Sequence, residues 1–201
     1  GREKRNIFDL DYQFNFPMIY NNELIAGVGL RFSTDDIDTF TDNLTLNDNN
    51  RSDYLYSAFI QDKITLFDDR LNLVFGSKFE HNDYSGFEIQ PNFRFIVKPN
   101  ETHRLWGAVS RAVRIPDRIE ENLRLNLSSF TDPESGQTTL FELTGNDNVD
   151  PEELIAFELG YRFKPSDRFY LELAGYINYY DDLSTFEPST PFLRTSPAPH
   201  V

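Results

Sequence analysis

The sequence has no cysteine among its 201 residues. That excludes a disulfide framework and any thiolate metal site. No stretch approaches the roughly 18 consecutive apolar residues of a membrane-crossing helix, so a transmembrane helix is excluded. Spanning by strands is not excluded, because a spanning strand hides its apolar residues at every second position. Cations are scarce: 19 Lys and Arg stand against 33 Asp and Glu, for a formal net charge of -14. Such a chain repels nucleic acid, so no DNA or RNA partner is expected. The three histidines, His81, His103 and His200, fall in three different connections and form no ligand-spaced pair. No phosphate loop, dinucleotide fingerprint or zinc motif is present. No cofactor is expected and no enzyme. No signal peptide is visible: Gly1 leads through charged residues straight into a strand, as in an excised piece of a longer chain.

What is abundant is aromatic: 19 Phe and 10 Tyr, against one Trp and one Met. They fall on a period of two. In the first expected strand, Ile7–Phe16, the residues Phe8, Leu10, Tyr12, Phe14 and Phe16 share one parity. Asp9, Asp11, Gln13 and Asn15 hold the other. The second, Glu23–Phe32, aligns Leu24, Ala26, Val28, Leu30 and Phe32. Further strands are expected at Tyr54–Leu66, Leu71–Glu80, Phe87–Lys98, His103–Arg114, Leu154–Phe163 and Phe169–Tyr180. Pro91 lies on the apolar parity of the fifth and removes a ladder donor, so a bulge or bend is expected there.

Short turns follow the first, third, fifth and seventh strands. Longer connections follow the others: Ser33–Asp53, the modest His81–Gly86, Ile115–Glu153 with a short helix expected near Asp117–Arg124, and a Pro-rich segment from Asp181 onward. A meander puts all short turns at one end and all long loops at the other, which is the pattern of an outer-membrane barrel. Strands of about ten residues fit a tilted span of the hydrocarbon layer. The fold class is therefore all-β: an antiparallel up-and-down meander of about eight strands, part of a larger transmembrane β-barrel. The rival is a soluble antiparallel barrel or sandwich with its apolar face inward. Aromatics at strand ends, where an interfacial girdle would sit, and a charged opposite parity favour the membrane.

Three motifs add a resemblance. Ser110-Arg111-Ala112-Val113-Arg114-Ile115-Pro116 resembles the S-x-A-x-R-x-P strand end of TonB-dependent outer-membrane receptors. Gly145-Asn146, Asp150-Pro151-Glu152 and Phe157-Glu158-Leu159-Gly160-Tyr161-Arg162 resemble the next signature, G-N-x-x-L-x-P-E followed by Y-E-L-G-Y-R. Val149 and Phe157 depart from its Leu and Tyr but stay apolar. Ala58-Phe59-Ile60-Gln61-Asp62 resembles the A-F-x-Q-D strand. The order is the family's, and the resemblance covers about Ile7 to Phe186. It implies active uptake of a scarce ligand such as a ferric siderophore, energised through TonB, in the cell outer membrane. It also implies that residues 1–201 are a slice of a barrel of roughly 22 strands. The N-terminal plug domain and TonB box would lie elsewhere in the parent. A slice has two unpaired edges. The alternatives are a passive channel or structural barrel without a gate, a soluble ligand-binding β domain and, more distantly, an outer-membrane enzyme.

Arg111, Arg114 and Arg118 cluster where the sixth strand meets the longest loop. One reading has them line the extracellular mouth and bind an anionic ligand such as a metal chelate through guanidinium forks. The plainer reading, which is preferred, makes them rim cations that face lipid headgroups or pair with Asp117, Glu120 and Glu121. Asn47-Asp48-Asn49-Asn50 and Asp147-Asn148 are oxygen-rich, as a calcium site requires. They lack the EF-hand spacing and read as ordinary loop chemistry. His81, Asp83 and Ser85 list the residue types of a hydrolase, but neighbours in one loop do not make a triad.

Overall fold

The alternating runs become strands, and the strands form one antiparallel meander. The computed structural model describes residues 1–16, 20–38 and 43–191. Its elements are β1 (Arg2–Asn15), β2 (Asn22–Asp38), β3 (Leu44–Leu46), β4 (Asn50–Leu66), β5 (Leu71–Asn82), β6 (Gly86–Asn100), β7 (His103–Arg114), α1 (Arg118–Asn122), β8 (Leu123–Thr131), β9 (Thr138–Thr144), β10 (Glu152–Ser166) and β11 (Phe169–Asp181). Eight of them form the main sheet in the order β1-β2-β4-β5-β6-β7-β10-β11. These are the eight strands expected. The sheet is not closed: β1 and β11 are its edges.

Strand pairing carries the apolar parity across the whole sheet. One row runs Phe75, Phe93, Val109, Phe157, Ile177. Another runs Phe8, Phe32, Tyr54. The opposite face carries rows such as Val74, Arg94, Ala108, Glu158, Tyr176. Among the described residues nothing covers the apolar face. Phe8 is 57% exposed, Leu159 56% and Leu173 59%, and no hydrophobic side chain among the described residues is buried. The buried polar side chains are Asn72, Glu80, Asn82, Glu88, Arg118, Glu121 and Asn122. A water-soluble sheet is arranged the other way round, with its apolar side packed and its polar side wet.

Two close approaches on the polar face need glycine. A Cβ on Gly160 would lie 2.2 Å from Cε2 of Trp106, and one on Gly27 would lie 2.3 Å from Cε1 of Phe59. Each ring lies over the bare backbone of its cross-strand partner and covers what the missing side chain exposes. At the short-turn end, Phe67, Asp68 and Asp69 all take positive φ, at 54°, 52° and 67°. Asp69 holds that turn by accepting from Asn72 Nδ2 at 2.7 Å and from Lys98 Nζ at 2.6 Å.

Several boundaries differ from expectation. β1, β2 and β4 run well past the expected strands at the loop end. Their extensions pair opposite charges, Lys4 with Asp36, Arg5 with Asp35 and Asp35 with Arg51, and so continue the ladder through sequence that reads as loop. Pro91 makes no bulge: β6 runs straight through it in register with Ser77 of β5. It marks instead where pairing with β7 stops, since the β6–β7 ladder begins at Asn92 opposite Ser110. The expected helix is present as α1. Unexpected are β3, β8 and β9, a second sheet in the order β3-β8-β9 built wholly from the two longest loops.

Candidate functional site at the loop end of the sheet

The loop end is organised by the strand end Ser110–Pro116. Pro116 stops β7, and Asp117 caps α1 by accepting from the amides of Ile119 and Glu120, while Glu120 reaches back to the Asp117 amide. The loop then returns against this helix. The Gly145 amide donates to Leu123 O at 2.6 Å and the Asn146 amide to Glu120 O at 2.9 Å. A Cβ on Gly145 would meet the Glu121 carbonyl carbon at 2.5 Å, so only glycine fits there. The two signature segments therefore touch. Arg114 joins them again: it pairs with Glu120 at 2.6 Å and with Glu152, its partner across β7 and β10, at 3.6 Å.

The loop between β2 and β4 is stitched to the same unit. Leu44, Thr45 and Leu46 of β3 pair with Leu125, Arg124 and Leu123 of β8. The Asn47 amide donates to Asn122 O and the Asn126 amide to Asn43 O. Two ion pairs bridge the same gap. Arg118, buried, pairs with Asp35 and donates to Asp48 O. Arg51 pairs with Glu121 at 2.5 Å and with Asp53 at 2.6 Å. Its guanidinium also sits 4.2 Å over the ring of Tyr84, whose hydroxyl donates to Asp53 at 3.1 Å. Tyr84 lies in the β5–β6 turn, so three loops meet at Arg51. Burial, and then the charge of Asp53, push the Tyr84 phenol up to about 12.

The three arginines singled out in the sequence lie at this end, each already paired. Arg111 does something the sequence does not show. Above Asn92 the ladder between β6 and β7 is missing, and the Arg111 side chain fills the gap. It donates to Ile89 O on β6, contacts Glu88 at 3.4 Å and holds Glu153 of β10 through Nε at 3.1 Å. Arg114 keeps half its side chain exposed, whereas Arg118 is buried against Asp35. Of the expected carboxylate partners, Glu120 takes Arg114, while Glu121 takes Arg51. Arg51 and Tyr84 were not singled out in the sequence. Apart from Asp53, two residues from Arg51, their partners lie 31 to 70 residues away, with no local signal to connect them.

The other expectations are resolved by nearby bonds. Asp83 accepts from the Tyr54 amide at 2.6 Å, and Ser85 Oγ accepts from Asn82 Nδ2 at 2.9 Å, so neither serves His81. His103 Nδ1 lies 2.5 Å from the Tyr161 hydroxyl at the short-turn end. His200 lies outside the described residues. Asn146 Oδ1 accepts from the Asn148 amide, closing an ordinary loop turn. Among the described residues no group of three or more His, Cys, Asp or Glu is placed to hold a metal ion.

Comparison with known proteins gives the frame. The structure resembles the siderophore receptor PirA from Acinetobacter baumannii, with TM-score 0.71 and 22% identity, over 90% of this chain and 28% of that one. PirA from Pseudomonas aeruginosa matches with TM-score 0.68 and 20% identity, over 89% of this chain and 32% of that one. A variant of the ferric enterobactin receptor PfeA from Pseudomonas aeruginosa matches with TM-score 0.70 and 19% identity, over 89% and 27%. The chain thus spans about a third or less of the receptors it resembles. No curated protein matches. A family model described as TonB dependent receptor-like, beta-barrel, matches residues 2–198. The chain belongs to the TonB-dependent receptor β-barrel family.

Proposed function

We propose that this chain supplies wall strands and outer loops to an outer-membrane receptor that takes up a scarce ligand actively, with TonB as the energising partner of the parent protein. One observation carries the reading: the main sheet exposes its Phe-rich face and buries carboxylates and amides on the other. Lipid is the solvent that suits the first face, and a hydrated lumen suits the second. The family is one of receptors and transporters rather than enzymes. The solved neighbours are siderophore receptors, which supports a metal chelate as the ligand class.

The inverted burial argues against the soluble alternative. In that arrangement Phe8, Leu159 and Leu173 would pack in a dry core. The arginines of the mouth serve as positioning residues. An anionic ligand at Arg111 or Arg118 would have to displace Glu153 or Asp35. Arg114 is paired too, with Glu120 and Glu152, but its side chain is half exposed, which favours it over the other two for a direct contact.

The test uses the full-length parent at native expression. Recovery in the outer membrane, slower gel migration after heating, and uptake of a ferric chelate that stops when TonB is deleted support the proposal. Uptake that continues without TonB makes it a passive channel. Recovery as a soluble periplasmic monomer overturns it.

A further inference from the structure

The second sheet has two faces of different character. Across β3, β8 and β9, pairing aligns Leu44 with Leu125 and Leu125 with Leu143, and Leu46 with Leu123. A register shift between Asn126 and Ser128 leaves Phe141 opposite Ser128 and brings Phe130 onto the same side. The other side holds Thr45, Arg124, Asn126, Ser129 and Glu142, with Leu140 opposite Ser129. A loop sheet facing only water has no use for such segregation. Phe130 is 60% exposed and Phe141 55%. Among the described residues β9 also has a free edge, since the sheet ends there. A free edge offers a row of backbone donors and acceptors to an incoming strand.

Charge selects the occupant. The described residues of the two loops that build this sheet, 43–49 and 115–151, include nine acidic ones; Asp117 caps α1, and Glu120 and Glu121 pair with Arg114 and Arg51, which leaves six others against two basic residues, Arg118 and Arg124. Arg118 is buried and already paired. These loops are thus net negative and favour a positive partner.

We propose that β9 and this apolar face bind an extended cationic peptide, which adds a fourth strand to the β3-β8-β9 sheet. Alternate side chains of that peptide are apolar and lie against Phe130, Phe141 and Leu143. The intervening lysines or arginines face the loop carboxylates. The proposal rests on the receptor reading only for placing this sheet on the outside of the cell. It concerns a docking surface distinct from Arg114 and from any chelate held there.

The experiment is fluorescence anisotropy on the full-length parent in detergent. The probes are a labelled eight-residue peptide alternating lysine and leucine, and the same peptide with glutamate in place of lysine. The lysine peptide binds, weakens as salt rises, and loses about tenfold or more in affinity on a Phe130→Ser/Phe141→Ser double variant, since two large apolar contacts are removed. The glutamate peptide does not bind. Equal binding of both peptides overturns the proposal, as does lysine-peptide binding unchanged by the double variant, which would be charge attraction alone. No binding, with a Phe141→Cys thiol that maleimide cannot reach, overturns it too and assigns the face to another loop of the same protein. Heat-dependent gel migration, read on the same samples, reports the barrel separately, so failure of the receptor reading shows there and not in the peptide titration.

Discussion

Arg51 Nη1 lies 2.5 Å from Glu121 Oε2, across seventy residues of sequence. The contact ties the start of β4 to the end of α1. Both side chains are largely buried, at 20% and 10% exposed. Removing one partner of such a pair leaves a buried charge without its counter-ion, which costs about 3–5 kcal/mol in a fully buried case and less here. Glu121→Ala is therefore expected to free the β3–β8 seam. Hydrogen exchange at Thr45, Leu46 and Leu123 should speed up by about tenfold or more, with exchange in β5 and β10 unchanged. Equal protection in both proteins would show that the seam does not depend on this pair.

The Tyr84 phenol provides a pH test. Its pKa in the fold stands at about 12 against an ordinary 10.0, because burial and Asp53 disfavour the phenolate. The folded state then holds the proton more tightly than the unfolded state. The resulting stability is fully present below pH 10 and is lost as pH rises through about 12. Tyrosinate absorbance near 295 nm should show a late step that Tyr84→Phe removes. A variant whose titration matches the parent's would contradict this.

Trp106 over Gly160 predicts a steric cost. Gly160→Ala puts a methyl 2.2 Å from the indole, and the ring must move. Overpacking of this kind costs about 1–3 kcal/mol. The urea midpoint of the refolded protein should fall, and replacing Trp106 by Ala in the same chain should recover part of the loss. No recovery would place the cost elsewhere.

The β4–β5 turn separates two neighbouring aspartates. Asp68 sits at φ 52°. Glycine takes that conformation without strain, so Asp68→Gly is expected to stabilise by about 0.5–1 kcal/mol. Asp69 is different, because its hydrogen bonds from Lys98 and then Asn72 hold its carboxyl below the usual range. A depressed carboxyl adds stability above its ordinary pKa and loses it as pH falls through the folded value. Asp69→Asn should lower the heating temperature at which gel migration shifts at neutral pH, and by less once acid has protonated the carboxyl. A pH-independent effect would refute the charge argument.

The strands were legible because a barrel wall with two unlike faces imposes a strict period of two, and Phe8 to Phe16 or Ile155 to Phe163 show it without help. The turns were legible for the same reason. The second sheet was not. Leu123-Arg124-Leu125 alternates too, but its partner strand β3 is three residues long and lies 77 to 81 residues away, so no local window reveals the pairing. The rim arginines were found, and their pairing was the preferred reading. Their actual partners were not all foreseen, because Arg118 reaches Asp35 and Arg51 takes Glu121 only once β2, β4 and α1 are brought together. Pro91 misled for a related reason. Its missing donor matters only on one side of β6, and Arg111 fills the gap left there.

The central claim is that the Phe-rich face meets lipid and the opposite face meets water. Residues 1–201 hold no cysteine; with any cysteine elsewhere in the parent replaced, single cysteines are placed at Phe157 and Leu159 on one face and at Ala156 and Glu158 on the other. Spin labels on these four sites, in the full-length protein reconstituted into bilayers, would be read for collision with oxygen and with a water-soluble nickel chelate. The account predicts oxygen-dominated relaxation at residues 157 and 159 and nickel-dominated relaxation at 156 and 158. The reverse pattern, or water access at all four, would contradict it.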